Sequence, residues 1–412
     1  MVADRAARRR PWIVLFVVAW LGVIASVTLL PVASGPRLPS TCFFCGPLGG
    51  VDFVLNVVLF VPLGLGLAAL VGRTGLVTIL ALGVTVAIEF LQWRIIPGRD
   101  ASLGDVTANA LGAATGALLM AALPSWVRAR GALARRLTTA SAIVAGGVIL
   151  LGAWLVVPAV PAHGVAVQVT VERPNLDSFD GTVMALRLHD SAIHATQRLQ
   201  PAALLDSNGT VAIETAVTGP AGRTQRQAMI VAIANQVEEA LFVGQWGSAV
   251  VFRVHTQANT LRLRTLMVRL EGAFGQEAPR NSQFTITAGA SPRAIHLATS
   301  SAAGAVGLAF PHTAALAWTA LLPWDVALTP AWWPVNALWL ALVILPVGFW
   351  ASAGGGAPAR DWWPGLIPLA AVVAGALAFG VSWPMPGEWA GLVGGIMAGT
   401  AAQRLTRRSV RG

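Results

Sequence analysis

Asp52-Phe53-Val54-Leu55-Asn56-Val57-Val58-Leu59-Phe60-Val61-Pro62-Leu63-Gly64 is an apolar run that opens on a carboxylate and, four residues later, an amide. Two further segments repeat the pattern. Glu89 and Gln92 close the next apolar run, and Asp105 and Asn109 open a third. Spacings of three or four residues place both members of a pair on one helix face. A carboxylate in or at the edge of hydrocarbon is costly and faces the protein interior or a water-filled cavity. Three such pairs at one depth therefore mark a site, and the runs that carry them mark a polytopic membrane protein.

Composition agrees. The chain of 412 residues is 55% hydrophobic and 11% charged, against about 25% charged in a soluble globular domain. Lys and Tyr are absent and all 28 basic residues are Arg, which reads as the codon bias of a GC-rich bacterial genome. The net charge of +10 does not imply nucleic acid. Most Arg clusters flank apolar segments, and no basic face carries interleaved aromatics.

Apolar stretches occur at residues 12–30, 54–71, 76–95, 106–123 and 143–158, then at 332–350, 363–381 and 389–402. Each approaches the ~20 residues that cross a bilayer. The expected fold class is thus a polytopic α-helical membrane protein of about eight transmembrane helices with an extracytoplasmic β-sandwich insert. Trp12, Trp126, Trp332, Trp333, Trp362, Trp363 and Trp389 lie at span ends, where aromatic rings favour the interface. Arg5, Arg8, Arg9 and Arg10 hold the N-terminus in the cytoplasm. Arg73 and the group Arg128, Arg130, Arg135 and Arg136 mark the next cytoplasmic turns. The first run exceeds the 7–15 residues of a signal peptide and is read as an uncleaved helix. Residues 302–322 are mildly apolar. Counted as a ninth span they would send Arg404, Arg407, Arg408 and Arg411 outside, so they are read as the last strands of the external domain or an interfacial piece. The expected setting is the bacterial cytoplasmic membrane, with both termini and Arg360 cytoplasmic and residues 161–322 outside.

Within that insert apolar runs shorten. Val250, Phe252 and Val254 alternate with Val251, Arg253 and His255; Leu261 and Leu263 with Arg262 and Arg264; Phe284 and Ile286 with Thr285 and Thr287. Period-2 patterning argues antiparallel strands. Gln245-Trp246-Gly247 and Asp206-Ser207-Asn208-Gly209 read as turns, and the whole as a β-sandwich. The run at residues 228–255 resembles strands of a concanavalin A-like or laminin-G-type module. That resemblance implies a glycan ligand; the alternative is a purely structural sandwich. The six His residues show no metal-ligand spacing, so no metal is expected.

The membrane segments carry a more specific likeness. The quoted run, then Glu89-Phe90-Leu91-Gln92, Gly98-Arg99 and Asp105-Val106-Thr107-Ala108-Asn109-Ala110-Leu111-Gly112 resemble, in order, the signature of the VanZ-like family, named for a teicoplanin-resistance factor. The resemblance covers roughly residues 10–123. It implies a membrane fold and a cell-envelope setting, with a sandwich module after the fifth helix and further helices behind it, but no particular reaction. The domains are then expected at 1–160 (five helices), 161–322 (sandwich) and 323–412 (three helices and a basic tail).

Glu89, Asp52 and Asp105 are the catalytic candidates, Glu89 first because it sits deepest in an apolar run. Arg99, Gln92, Asn56 and Asn109 are the candidate substrate contacts. Arg99 could be counter-ion to the carboxylates or meet a phosphate or carboxylate of a ligand, since its planar fork suits both. The plainer alternative is a buried network that only fixes helix packing. Gly112-x-x-x-Gly116 reads as a close-packing motif, and Pro62 as a kink. Cys42 and Cys45, the two cysteines, read as a local disulfide or free thiols; without nearby His they make no zinc site. No Walker loop, G-x-S-x-G or H-E-x-x-H occurs, and no cofactor is expected. The expected partners are membrane lipid and a cell-wall or glycan ligand, with the oligomeric state open. The functional expectation is an envelope protein that acts on, or gates, a lipid-linked or cell-wall precursor at the outer leaflet. The competing expectation is a non-enzymatic scaffold whose sandwich binds glycan or a partner protein. A transporter ranks last, since no internal repeat is seen.

Overall fold

The computed structural model describes residues 2–31, 41–219, 222, 224–274, 282–354 and 363–411; Arg360 and Trp362 lie outside them. The chain divides into two compact units between Ala129 and Arg130.

The first unit holds α1 (Val2–Thr28), α2 (Gly49–Val71), α3 (Thr74–Arg94) and α4 (Leu103–Val127). Helix α2 runs unbroken through Pro62 and ends where Gly72 takes the left-handed conformation, φ 71°, its N–H donating to the Ala68 carbonyl. Helix α4 starts at Ser102, whose hydroxyl accepts the Asp105 N–H. Helices α2 and α4 pack closely because small residues face backbone. A Cβ at Gly112 would strike the Val57 carbonyl, one at Gly116 the Val61 carbonyl, and one at Gly64 the Ala113 carbonyl. In hydrocarbon such contact replaces the hydrophobic effect as the force between helices. Val17, Ile24, Phe60, Leu63, Ala81 and Ile88 fill the remaining interior, and the Trp20 indole N–H donates to the Leu59 carbonyl at 2.8 Å.

The second unit opens with α5 (Gly131–Leu155). A seven-stranded sheet follows in the order β13 (Ala327–Leu328), β9 (Leu266–Leu270), β8 (Ala249–Val254), β7 (Glu239–Trp246), β6 (Gln227–Ala234), β1 (Val165–Val169), β4 (Arg198–Leu199). A six-stranded sheet runs β12 (Gly304–Pro311), β11 (Ala294–Ser301), β10 (Gln283–Ala290), β5 (Val211–Thr218), β2 (Val183–Leu188), β3 (Ser191–Ala192). Neighbours are antiparallel except β13 on β9. Ile230, Phe252, Ile286, Leu297 and Phe310, each at most 1% exposed, belong to one core; burying each is worth roughly 1.5–3 kcal/mol. The short helix α6 (Gln257–Thr260) lies between β8 and β9, and α7 (Trp333–Ala351), α8 (Leu366–Phe379) and α9 (Pro386–Arg411) complete the unit. Glycines 391, 395 and 399 of α9 lie against the backbone of α7 as closely as those of α4 lie on α2.

Four expectations change. Helix α5, grouped above with the first four helices, packs on α7 and α8 through Ala142, Ala145, Ile149, Leu340, Ile344 and Ala371. The sandwich does not end at residue 322, because β13 pairs with β9 at Met267 and Val268; two residues are too few for a period to be read. Leu261 to Arg264 form no strand. The Thr256–Asn259 capping box starts a helical turn there, and four alternating residues are too short to prevail over it. Val251 and His255 are buried, not exposed: Val251 joins Met229, Ala232, Phe242 and Met267 in a cluster of the seven-stranded sheet, and His255 sits past the end of β8 with Nδ1 3.3 Å from the Glu239 carbonyl. Residues 302–322 contribute β12 and a 3-10 segment, Ala314–Leu321. Among the described residues six helices are long and apolar enough to cross a membrane, the last at Pro330–Ala351. Helix α8 is shorter, at 14 residues.

Candidate functional site

At one end of the first unit, α2 and α4 begin and α3 finishes, and there their polar residues meet around Ser102. The Ser102 N–H donates to Glu89 Oε2 at 2.8 Å. The Ser102 hydroxyl accepts from the Asp105 N–H at 2.9 Å, and Asp105 Oδ1 accepts from Asn56 Nδ2 at 2.7 Å. Glu89 is 7% exposed and Asn109 2%. Three helices thus supply Asn56, Glu89 and Asp105 to one hydrogen-bonded chain. Asp52, one turn before Asn56, is exposed. Among the described residues, Asn109 Oδ1, one turn below Asp105, is buried without a partner, as are Gln92 Oε1 and Thr85 Oγ1.

The other two candidates close the end of α1. Gln92 Nε2 donates to the Thr28 carbonyl at 2.8 Å. The Arg99 guanidinium donates to the carbonyls of Val27 at 3.0 Å and Leu30 at 3.3 Å. The Val27 and Thr28 carbonyls are among those a helix terminus leaves unpaired, and a cation there also meets the negative end of the helix dipole. The hydrogen bonds of Arg99 thus go to backbone oxygens, while its charge also acts on Asp105.

Cys42 and Cys45 form a disulfide. The loop they close rests on the site's framework. The Cys42 carbonyl accepts the Gly104 N–H at 3.2 Å, a Cβ at Gly104 would strike the Phe43 carbonyl, and Phe44 meets Phe53 edge-on at 5.4 Å. Ser102 and Thr28 escaped the sequence reading, although Ser102-Leu103-Gly104-Asp105 carries the Ser-x-x-acid signature of a helix start.

The second unit holds two polar features of its own. Glu388, 1% exposed, accepts from the Thr313 hydroxyl at 2.8 Å, Asn336 Nδ2 at 3.0 Å and the Met385 N–H at 3.0 Å. Trp318 Nε1 donates to Asn336 Oδ1 at 2.8 Å. His312, beside Thr313, is fully buried with Nδ1 2.9 Å from the Ser291 carbonyl, and burial pushes its imidazole down to about 4. Burial also lowers His255. Asp177 is held below the usual carboxylate range by the Arg226 backbone N–H. The outer face of the six-stranded sheet carries a groove of about 580 Å³ with His189, Glu214 and His296 above a floor that includes Ala212, Gly289 and Gly307.

Residues 12–124 match the VanZ/LLP1 family model, which are the residues that build α1 to α4. No curated protein and no solved structure matches the chain. The apolar helices and this match support a membrane protein with a VanZ-like segment followed by a sheet-rich region.

Proposed function

We propose that the VanZ-like segment of this membrane protein holds the head group of a lipid-linked or cell-wall precursor at the outer leaflet of a bacterial cytoplasmic membrane, acting on it or gating its passage. The observation that carries this reading is the hydrogen-bonded chain Asn56–Asp105–Ser102–Glu89, with the unpartnered oxygens of Asn109 and Gln92 one turn from it along α4 and α3. Buried polar atoms left unpaired by a packing network call for a further partner. Glu89 is the acid/base candidate, held by the Ser102 N–H. In this reading eight helices span the membrane, the Arg clusters keep both termini cytoplasmic, and changed glycopeptide tolerance is the phenotype.

A second reading is a non-enzymatic scaffold whose sandwich binds glycan or a partner protein. The groove flanked by His189, Glu214 and His296 favours it. One experiment separates the two. A deletion strain is challenged with glycopeptides and other cell-wall drugs, then complemented with wild type, Glu89→Ala, or a form lacking residues 165–320, all matched for membrane abundance. Failure of Glu89→Ala to rescue supports the head-group site. Full rescue by Glu89→Ala, with none by the sandwich deletion, overturns it in favour of the scaffold.

A further inference from the structure

We infer that the polar end of the four-helix unit binds a divalent, oxygen-seeking cation, held by the carboxylates of Glu89 and Asp105 with the amide oxygens of Asn109 and Gln92. The cation site stands on its own geometry; its coupling to a phosphate head group rests on the function proposed above.

Among the described residues of this unit, the buried side-chain atoms without a partner are Thr85 Oγ1, Gln92 Oε1 and Asn109 Oδ1, all oxygens. The nitrogen of Gln92 is committed to the Thr28 carbonyl and that of Asn56 to Asp105. The amide oxygens of Gln92 and Asn109 are thus acceptors left over, and the Thr85 hydroxyl is unpaired beside them in the same unit. A buried acceptor without a partner is costly, so the two amide oxygens form a pair that a positive centre would satisfy.

Their placement is consistent with one. The bond from the Ser102 N–H to Glu89 fixes the register of α3 against α4. One turn deeper than Glu89 on α3 is Thr85, and one turn deeper than Asp105 on α4 is Asn109. Both are buried. The oxygens of Thr85 and Asn109 thus lie one turn behind the two carboxylates on helices that touch, and Gln92 lies one turn beyond Glu89 toward the end of α3. Carboxylate, amide and hydroxyl oxygens are the ligands of Mg²⁺ and Ca²⁺. An anionic head group brought alone to this end would meet two carboxylates at close range, where like charges repel strongly. A divalent cation held by one or two carboxylates commonly completes its shell with phosphate oxygens, which reconciles an acidic site with a phosphate-bearing lipid.

The test uses the full chain in nanodiscs of phosphatidylcholine, with Mg²⁺, Ca²⁺ or Mn²⁺ alone as probe, read by calorimetry and by Mn²⁺ paramagnetic resonance. Wild type is expected to show one saturable site. Asp105→Asn and Glu89→Gln each weaken it at least tenfold, and Asn109→Asp, which adds a charged ligand, tightens it. No saturable site, or equal affinity in wild type, Asp105→Asn and Asn109→Asp, overturns the inference. Nanodiscs doped with a polyprenyl phosphate then separate the two claims. Lipid capture lost on adding chelator supports the cation as the bridge. Lipid capture unchanged by chelator overturns the bridge while leaving the head-group reading intact. Cation binding with no lipid capture keeps the cation site and removes the head-group reading.

Discussion

Replacing Gly112 with Ala should destabilise the first unit and open its polar end. A Cβ at this position would strike the Val57 carbonyl oxygen and sit 3.0 Å from Phe60 Cβ and the Val57 carbonyl carbon. None of these atoms is the far end of a flexible side chain, so α2 and α4 must separate. Overpacking of this kind costs about 1–3 kcal/mol. Separation also stretches the 2.7 Å bond from Asn56 to Asp105, and an interhelical hydrogen bond in a membrane protein is worth about 0.6–1.7 kcal/mol. Together the loss is about 2–5 kcal/mol, roughly a thirty- to several-thousand-fold drop in the folded-to-unfolded ratio. Full-length protein in mixed micelles, titrated with SDS and followed by Trp fluorescence, measures it. Gly83→Ala on α3 is the control, since nothing lies within 4 Å of its added Cβ and an Ala there favours the helix by up to about 1 kcal/mol. If Gly112→Ala unfolded at the same SDS fraction as Gly83→Ala, the close-packing account of α2 on α4 would be wrong.

Three further outcomes are expected. The His312 imidazole is lowered from 6.5 to about 4, so between those values the unfolded chain binds a proton that the folded chain refuses. Stability of the second unit should therefore fall as pH drops through that window, by about 3 kcal/mol; His312→Phe should flatten the slope of thermal midpoint against pH, leaving the smaller contribution of His255. Glu388→Leu strands the donors of Thr313, Asn336 and Met385 and should cost at least about 3 kcal/mol in the same SDS titration, whereas Glu388→Gln, which keeps an acceptor, should cost less. Cys42→Ser with Cys45→Ser removes a link of sequence separation 3; a loop that short contributes about 2 kcal/mol by chain entropy, and limited proteolysis near residues 41–48 should rise.

The membrane segments were legible because hydrocarbon forces a long apolar run to be helical, which makes length and composition sufficient. Asp52, Asn56, Glu89, Gln92, Asp105 and Asn109 stood out for the same reason, as polar groups where polar groups are costly. What they touch was not legible. Ser102 joins Glu89 to Asp105 because a loop and a helix start meet there, and Arg99 donates to carbonyls at the end of α1, which a helix terminus leaves unpaired. Glu388 carried a signal, a lone carboxylate before an apolar run, but its partners Thr313 and Asn336 come from distant segments. The Gly391, Gly395, Gly399 spacing was readable and points to close packing, as Gly112 and Gly116 did.

In the sandwich, the alternation of Phe284 and Ile286 with Thr285 and Thr287 determined both the strand and its inward face, since period-2 geometry puts successive side chains on opposite sides. The same logic failed for Val251, which lies in a second apolar cluster of the seven-stranded sheet. Sequence by itself determined the class of each segment: apolar helix, alternating strand, polar turn. Tertiary structure alone decided that α5 joins the helices behind the sandwich, that β13 adds a strand beyond residue 322, and which polar groups share hydrogen bonds. Local pattern reports the preference of a residue for water or hydrocarbon, whereas partnership depends on which surfaces the folded chain brings within 3 Å, a hydrogen bond's reach.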